Sequence, residues 1–338
     1  MIRALLILAQ IYPGNLSLGH YQHAEFNDPA ARLDRKLADG TVKLHFREGG
    51  LGYLPSLLEQ LEINADTQVL VFSKTSFQAQ RIGPRNARAI YFSDSVAVGF
   101  VPGGDGMEIA ALDPREGMVF YTLENRAVER PRITRREECM HCHYGPATLG
   151  VPGIFVGSVY PNSTGQPSRD AAIITDHRTA FRDRWGGWYV SQSSIGRSNS
   201  VAVDPAEPHS LTALPPFRAD RYLVPTSDIV ALMTFEHQTY ATNLLVRLNW
   251  LARGGDASAI DAAIREAVAC LTFADEAPLP EPIQGTSTFT KTFPHRGPGR
   301  EFDLKTRLFR SPVSYMIHTS PFESLPEEIQ KRIQAELP

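Results

Sequence analysis

Cysteine is scarce in this chain, three of 338 residues. A structural zinc domain usually takes two ligand pairs at similar spacing. Cys139 and Cys142 make one pair, Cys270 is the only other cysteine, and no His-x3–5-His pair follows. Long apolar runs are missing too. No stretch reaches the roughly 18 apolar residues of a membrane span, so no integral membrane span is expected. An excess of basic charge is also lacking: 34 Lys and Arg stand against 37 Asp and Glu, for a net charge of −3. General nucleic-acid binding wants a basic footprint, so no nucleic-acid partner is expected. Nor is there a Ser-His-Asp order, a phosphate loop or a carboxylate pair with a catalytic look. Gly103-Gly104-Asp105-Gly106 is followed by a strand pattern where a phosphate loop requires a helix.

What is present describes a globular protein. Hydrophobic residues make up 42% and charged residues 21%, and the length suits one large domain or two ordinary ones. Glycine and proline, 25 of each, point to many turns and irregular connections. Against this background Cys139-Met140-His141-Cys142-His143 stands out. With three cysteines and ten histidines, composition alone would give Cys-x-x-Cys-His in roughly one in a thousand such chains. Two thiols three positions apart can each add to a vinyl group of a porphyrin. The adjacent imidazole then reaches the iron as proximal ligand. The motif therefore predicts one covalently attached haem c on Cys139 and Cys142, with His143 on the iron.

Three other readings compete. Zinc on Cys139, Cys142 and a histidine, in a zinc-stabilised interaction protein, is short of ligands. A thioredoxin-like motif should open a helix directly after a strand, whereas Arg135-Arg136-Glu137-Glu138 precedes this one and Tyr144-Gly145-Pro146 follows. A disulfide between the two cysteines leaves His143 without a reason.

The patterning predicts an α+β fold. Asp28-Pro29 opens a helix that Gly40 stops, and Leu54, Leu57, Leu58 and Leu61 mark another. Runs at 68–72, 89–92, 96–101, 107–112 and 118–123 read as strands of an antiparallel meander. The chain divides into a β-rich part (1–125), a loop-rich haem segment (126–225) and a helical part (226–338), in one integrated unit. Within the middle part a strand is expected near 154–159. The cluster Arg182-Asp183-Arg184-Trp185-Gly186-Gly187-Trp188-Tyr189-Val190 either walls the porphyrin or fills core where backbones approach closely. The long helix, from about Ser227 to Ala252, is capped by Ser227 or Thr226 and ended by Gly254-Gly255. Another helix spans Ala257 to Phe273, with Cys270 as a buried apolar residue, and a last one Pro326 to Leu337.

The opposite face of the haem decides its chemistry. His237 on the apolar stripe of the long helix is the first candidate distal ligand, with Met233 one turn earlier as the alternative. His20, His23, His45, His177, Met316 and His318 are weaker candidates. A lone histidine on such a stripe is otherwise a hydrogen-bonded core residue. Arg126, Arg130, Arg132, Arg135 and Arg136 can clamp haem propionates, dock an acidic redox partner, or simply form a solvated surface.

At Cys139–His143 the chain resembles c-type cytochromes, which implies covalent haem and an iron-bound His143. Small cytochromes c are mostly helical and carry the motif near their N-terminus. Here it follows a predicted sheet, so a small all-helical cytochrome fold is not implied. The wider pattern is similar to a group of large bacterial mono-haem proteins without assigned function. It is carried by Leu70-Val71-Phe72-Ser73-Lys74-Thr75, Arg184 to Val190, Ser227 to Met233 and Glu236-His237-Gln238. That resemblance adds no reaction.

Electron transfer with a redox partner protein is the expected role. A haem enzyme or sensor acting on a small oxidant, peroxide or a nitrogen oxide, is the alternative. Haem c is attached outside the bacterial cytoplasm, so a periplasmic or otherwise exported protein is expected. Met1-Ile2-Arg3 followed by apolar Ala4 to Ala9 then reads as a short, truncated or mis-started signal, or else as a buried strand.

Overall fold

The computed structural model describes residues 18–167, 172–191, 201–204, 207–213 and 218–338. The apolar run at 4–9 and the reading of it as a signal lie outside the described residues. Short helices open the chain: α1 (Leu18–His23), α2 (Pro29–Ala38) and α3 (Leu54–Gln60). The meander follows as β1 (Val69–Val71), β2 (Arg88–Phe92), β3 (Val96–Phe100), β4 (Gly106–Asp113), β5 (Gly117–Glu124) and β6 (Ile133–Arg135). One helical turn, α4 (Met140–His143), carries the motif. The pair β7 (Gly157–Ser158) and β8 (Ile173–Ile174) makes a separate ribbon. β9 (Trp188–Tyr189) returns to the sheet beside β1, and β10 (Val201–Asp204) and β11 (Glu207–Ala213) pair with each other. Helices close the chain: α5 (Ile229–Gly254), α6 (Ala257–Leu271), α7 (Phe289–Thr292), α8 (Ser320–Glu323) and α9 (Glu327–Glu336).

The main sheet is antiparallel throughout, in the order β6-β5-β4-β3-β2-β1-β9. Successive side chains on a strand point to opposite faces, and here both faces are apolar. Leu70, Tyr91, Val98, Ile109 and Val119 pack with α2 and α3. Val71, Phe92, Ala97, Leu112 and Phe120 pack with α5 and α6, where Phe92 stacks on Phe235 at 4.6 Å. The result is three layers, with the sheet buried between helices. The fold is α+β as the patterning predicts.

Hydrogen bonds fix the layers. Asp28 caps α2 by accepting from the backbone of Ala30 and Ala31, while its second oxygen accepts from Tyr121 of β5 at 2.6 Å. The cap of α5 differs from the expectation. Asp228, not Ser227 or Thr226, accepts from Val230 N at 2.8 Å. Ser227 Oγ instead donates to Tyr189 O and accepts from Leu70 N, tying the helix start to the seam of β1 and β9. Gly255 ends α5 at φ +74°, the left-handed closure that glycine takes without strain.

The middle segment departs from its predicted strand. Only Gly157–Ser158 of 154–159 pairs as strand, and the short strand at Trp188–Tyr189 was not expected. Of the Trp–Gly–Gly–Trp cluster, Gly187 and Trp188 are buried, with Trp188 Nε1 donating to Gly157 O at 2.9 Å, while Trp185 and Gly186 are half-buried. A Cβ on Gly186 would collide with the Val159 backbone carbonyl, so only glycine permits that approach.

Candidate functional site

The motif leaves the sheet where β6 ends. Arg136 N still donates to Phe120 O at 2.8 Å, and then a 3-10 turn, Glu137–Cys139, runs straight into α4. Cysteines three apart in continuous helical turns lie on the same side. Both are free thiols, Cys142 exposed and Cys139 half-buried. Burial, with the charges of Glu138 and Glu108, pushes the Cys139 thiol up to about 11.

His143 sits half-buried against Phe120, ring centroids 4.7 Å apart, with Phe155 at 5.9 Å. Its Nδ1 lies 2.9 Å from Gly153 O. A carbonyl only accepts, so this contact assigns the proton to Nδ1 and leaves the lone pair on Nε2. Among the described residues Nε2 has no hydrogen-bond partner. Burial pushes the imidazole down, against the Gly153 bond and with help from Arg88, so the ring is held neutral. Metal-ligating histidines usually donate their other ring N–H to a carbonyl or carboxylate, as His143 does to Gly153 O.

Hydrogen bonds and core packing support His143 from behind. Gly153 N donates back to His143 O at 2.9 Å, closing a loop whose tip is the turn from Gly145 to Gly150. Val151, Ile154 and Val156 are buried in the core beside α5. Asn243 of α5 donates to Ile154 O at 2.9 Å, and Trp250, two turns further along α5, meets the Tyr144 ring at 6.4 Å. An Arg88–Glu108 ion pair of 2.8 Å bridges β2 and β4 nearby. Both of its charges act on His143.

The arginines before the motif are largely committed to protein acids. Arg126 pairs with Glu124 at 2.7 Å, Arg135 with Glu137 at 3.4 Å and Arg136 with Glu138 at 3.7 Å. Arg132 forks onto Asp34 of α2, and Arg135 also lies over the Phe26 ring at 4.6 Å. Four of the five therefore pair within the chain, which favours a charge-balanced surface over a propionate clamp. Arg130 is exposed.

The distal candidates lie elsewhere. His237 is fully buried, with Nε2 2.6 Å from Ser314 Oγ and Nδ1 3.5 Å from His177 Nδ1. Its ring packs on Phe273, Phe309 and Tyr315. None of these contacts reaches residues 139–156, so the structure does not bring His237 to His143. Met233 is buried in the core one turn earlier. His23, His45 and His318 are exposed, Met316 is buried, and the side chain of His20 lies outside the described residues. His177 is buried against His237, and Cys270 joins them. Burial pushes His177 down to about 4 and His237 further below its usual range. Sequence reasoning named these residues singly and missed their convergence, since 60 positions separate His177 from His237 and no spacing rule links them.

No family model, curated protein or solved structure matches the chain.

Proposed function

We propose that the chain is a mono-haem c protein that transfers single electrons to and from a partner protein outside the cytoplasm. The observation that carries this is one turn of helix that presents two free thiols and an imidazole fixed by Gly153 O, its Nε2 without a hydrogen-bond partner among the described residues. Cys139 and Cys142 would hold the porphyrin, each S–H adding across one vinyl group, and His143 Nε2 would hold the iron. Haem so held supplies a one-electron iron couple. Phe120 backs the imidazole and the Gly153 carbonyl fixes its rotation, so the direction of Nε2 is set by β5 and by the loop that Asn243 of α5 anchors.

Exposure favours electron transfer over an enclosed reaction. Cys142, His141, Glu137 and Glu138 are all on the surface, which puts the attachment edge where a partner can approach. The mixed charges around it make docking salt-sensitive. The test is an optical spectrum of haem-loaded chain in both oxidation states. Low-spin spectra in both, with no carbon monoxide or cyanide adduct, support electron transfer. A stable five-coordinate, high-spin ferric haem that binds these ligands would overturn it in favour of a small-oxidant enzyme or sensor.

A further inference from the structure

His177, from the turn after β8, His237 of α5 and Cys270 of α6 meet in the core, all three buried. Their ligating atoms lie within 4.8 Å of one another. The two imidazoles face each other through Nδ1 at 3.5 Å. That is long for a hydrogen bond between nitrogens, whose usual range ends near 3.2 Å. It is close to the edge of a tetrahedral metal site, where bonds of 2.0–2.1 Å set two nitrogens about 3.3 Å apart. We propose that these three residues form a buried second metal site for one thiophilic d10 ion, Cu(I) on the three ligands alone or Zn(II) with a water completing four.

The outer contacts support the assignment. His177 Nε2 lies 3.2 Å from Ala274 O, so that nitrogen carries the proton and Nδ1 offers its lone pair. His237 Nε2 meets Ser314 Oγ at 2.6 Å, and a hydroxyl can donate or accept. Without metal, His237 donates from Nδ1 towards His177 and Nε2 accepts from Ser314. On binding, the His237 proton moves to Nε2, Ser314 accepts it as a hydrogen bond, and both Nδ1 lone pairs face the ion. Cys270 loses its thiol proton to solvent and binds as thiolate. Both imidazoles then have the outer-shell partner that metal-bound histidine usually has. Thiolate and Cu(I) together are neutral, which suits a buried site. With Zn(II) a residual positive charge remains, because the Asp176 carboxylate that acts on His177 and Cys270 is itself paired with Arg178, whose charge acts on the same two residues in the opposite sense.

The experiment uses two full-length proteins, the haem-loaded chain and a Cys139→Ala/Cys142→Ala chain, so that the motif cannot supply the thiols. Each is titrated with Zn(II), and anaerobically with Cu(I), against a chromophoric chelator. One equivalent of either ion should bind both proteins and raise the thermal midpoint. Cys270→Ala, and Cys270→Ser as the closer match in volume, should weaken binding by well over about tenfold. Ser314→Ala, which removes only the outer contact, should weaken it about tenfold. No stoichiometric uptake of either ion overturns the proposal. So does uptake that survives Cys270 replacement or disappears only with Cys139 and Cys142.

Discussion

Replacing Gly153 with alanine puts a methyl group into the junction between the motif loop and α5. The new Cβ would lie 2.9 Å from Asn243 Cγ, closer still to its Oδ1, and 3.1 Å from Thr148 Cβ. Asn243 cannot swing away freely, because its Nδ2 holds Ile154 O at 2.9 Å. Either the helix and loop separate or that hydrogen bond breaks. Overpacking of this kind costs about 1–3 kcal/mol, and the lost bond about 1 kcal/mol more. The stiffer unfolded chain returns about 0.4–1 kcal/mol. The net expectation is a loss of about 1–4 kcal/mol, read as a lower urea midpoint at unchanged slope. The same substitution in an Asn243→Ala background should cost clearly less, a coupling a double-mutant cycle measures. Equal cost in both backgrounds would show that Gly153 and Asn243 do not press on each other, and would refute this account of what holds His143.

Other consequences follow from the buried polar groups and the motif's support. Glu236 is fully buried beside Arg184 at 3.1 Å, with its Oε1 unpartnered. Removing the arginine alone, Arg184→Ala, should cost about 3–5 kcal/mol in a denaturant titration, by stranding a buried carboxylate. Burial, opposed by Arg184, pushes Glu236 up to about 7 from 4.5. The folded state therefore holds this proton longer than the unfolded state. Its contribution is full below pH 4.5 and is lost as pH rises through about 7. Glu236→Gln should accordingly gain stability relative to the native chain from pH 5 to pH 8, and a flat difference would contradict the assignment. Phe120→Ala, at a buried position under His143, should cost about 3–5 kcal/mol and perturb the haem spectrum. Loss of stability with an unchanged spectrum would deny Phe120 any role behind the ligand.

The elements that were legible in the chain are those whose causes are local. Strands β2 to β5 and helices α2, α5 and α6 show in periodicity, turn residues and caps, and their observed ends differ from expectation by a residue or two. The cap of α5 was misread by one position because Thr226, Ser227 and Asp228 all carry capping oxygens. Only the third dimension shows that Ser227 is engaged with Leu70 and Tyr189. The short strand at Trp188–Tyr189 was hidden because its partner β1 lies more than a hundred residues earlier. The motif itself was fully visible, since its chemistry is encoded in adjacent residues. Its supports were not: Gly153 and Phe120 matter through a carbonyl and a ring face that no spacing rule identifies. His237 was singled out correctly as anomalous on an apolar stripe. Its partners, His177, Cys270 and Ser314, come from three distant segments, and this is why the stripe suggested a haem ligand while the fold assembles a separate cluster.

The central claim is that Cys139, Cys142 and His143 hold a covalent haem. It is tested most directly by expressing the full chain with a bacterial c-type haem maturation system, unfolding it and measuring the mass and haem absorbance of the denatured polypeptide. One haem per chain should survive denaturation and gel electrophoresis, and Cys139→Ala/Cys142→Ala should abolish it. A native chain that emerges from the same maturation without covalent haem would contradict the account.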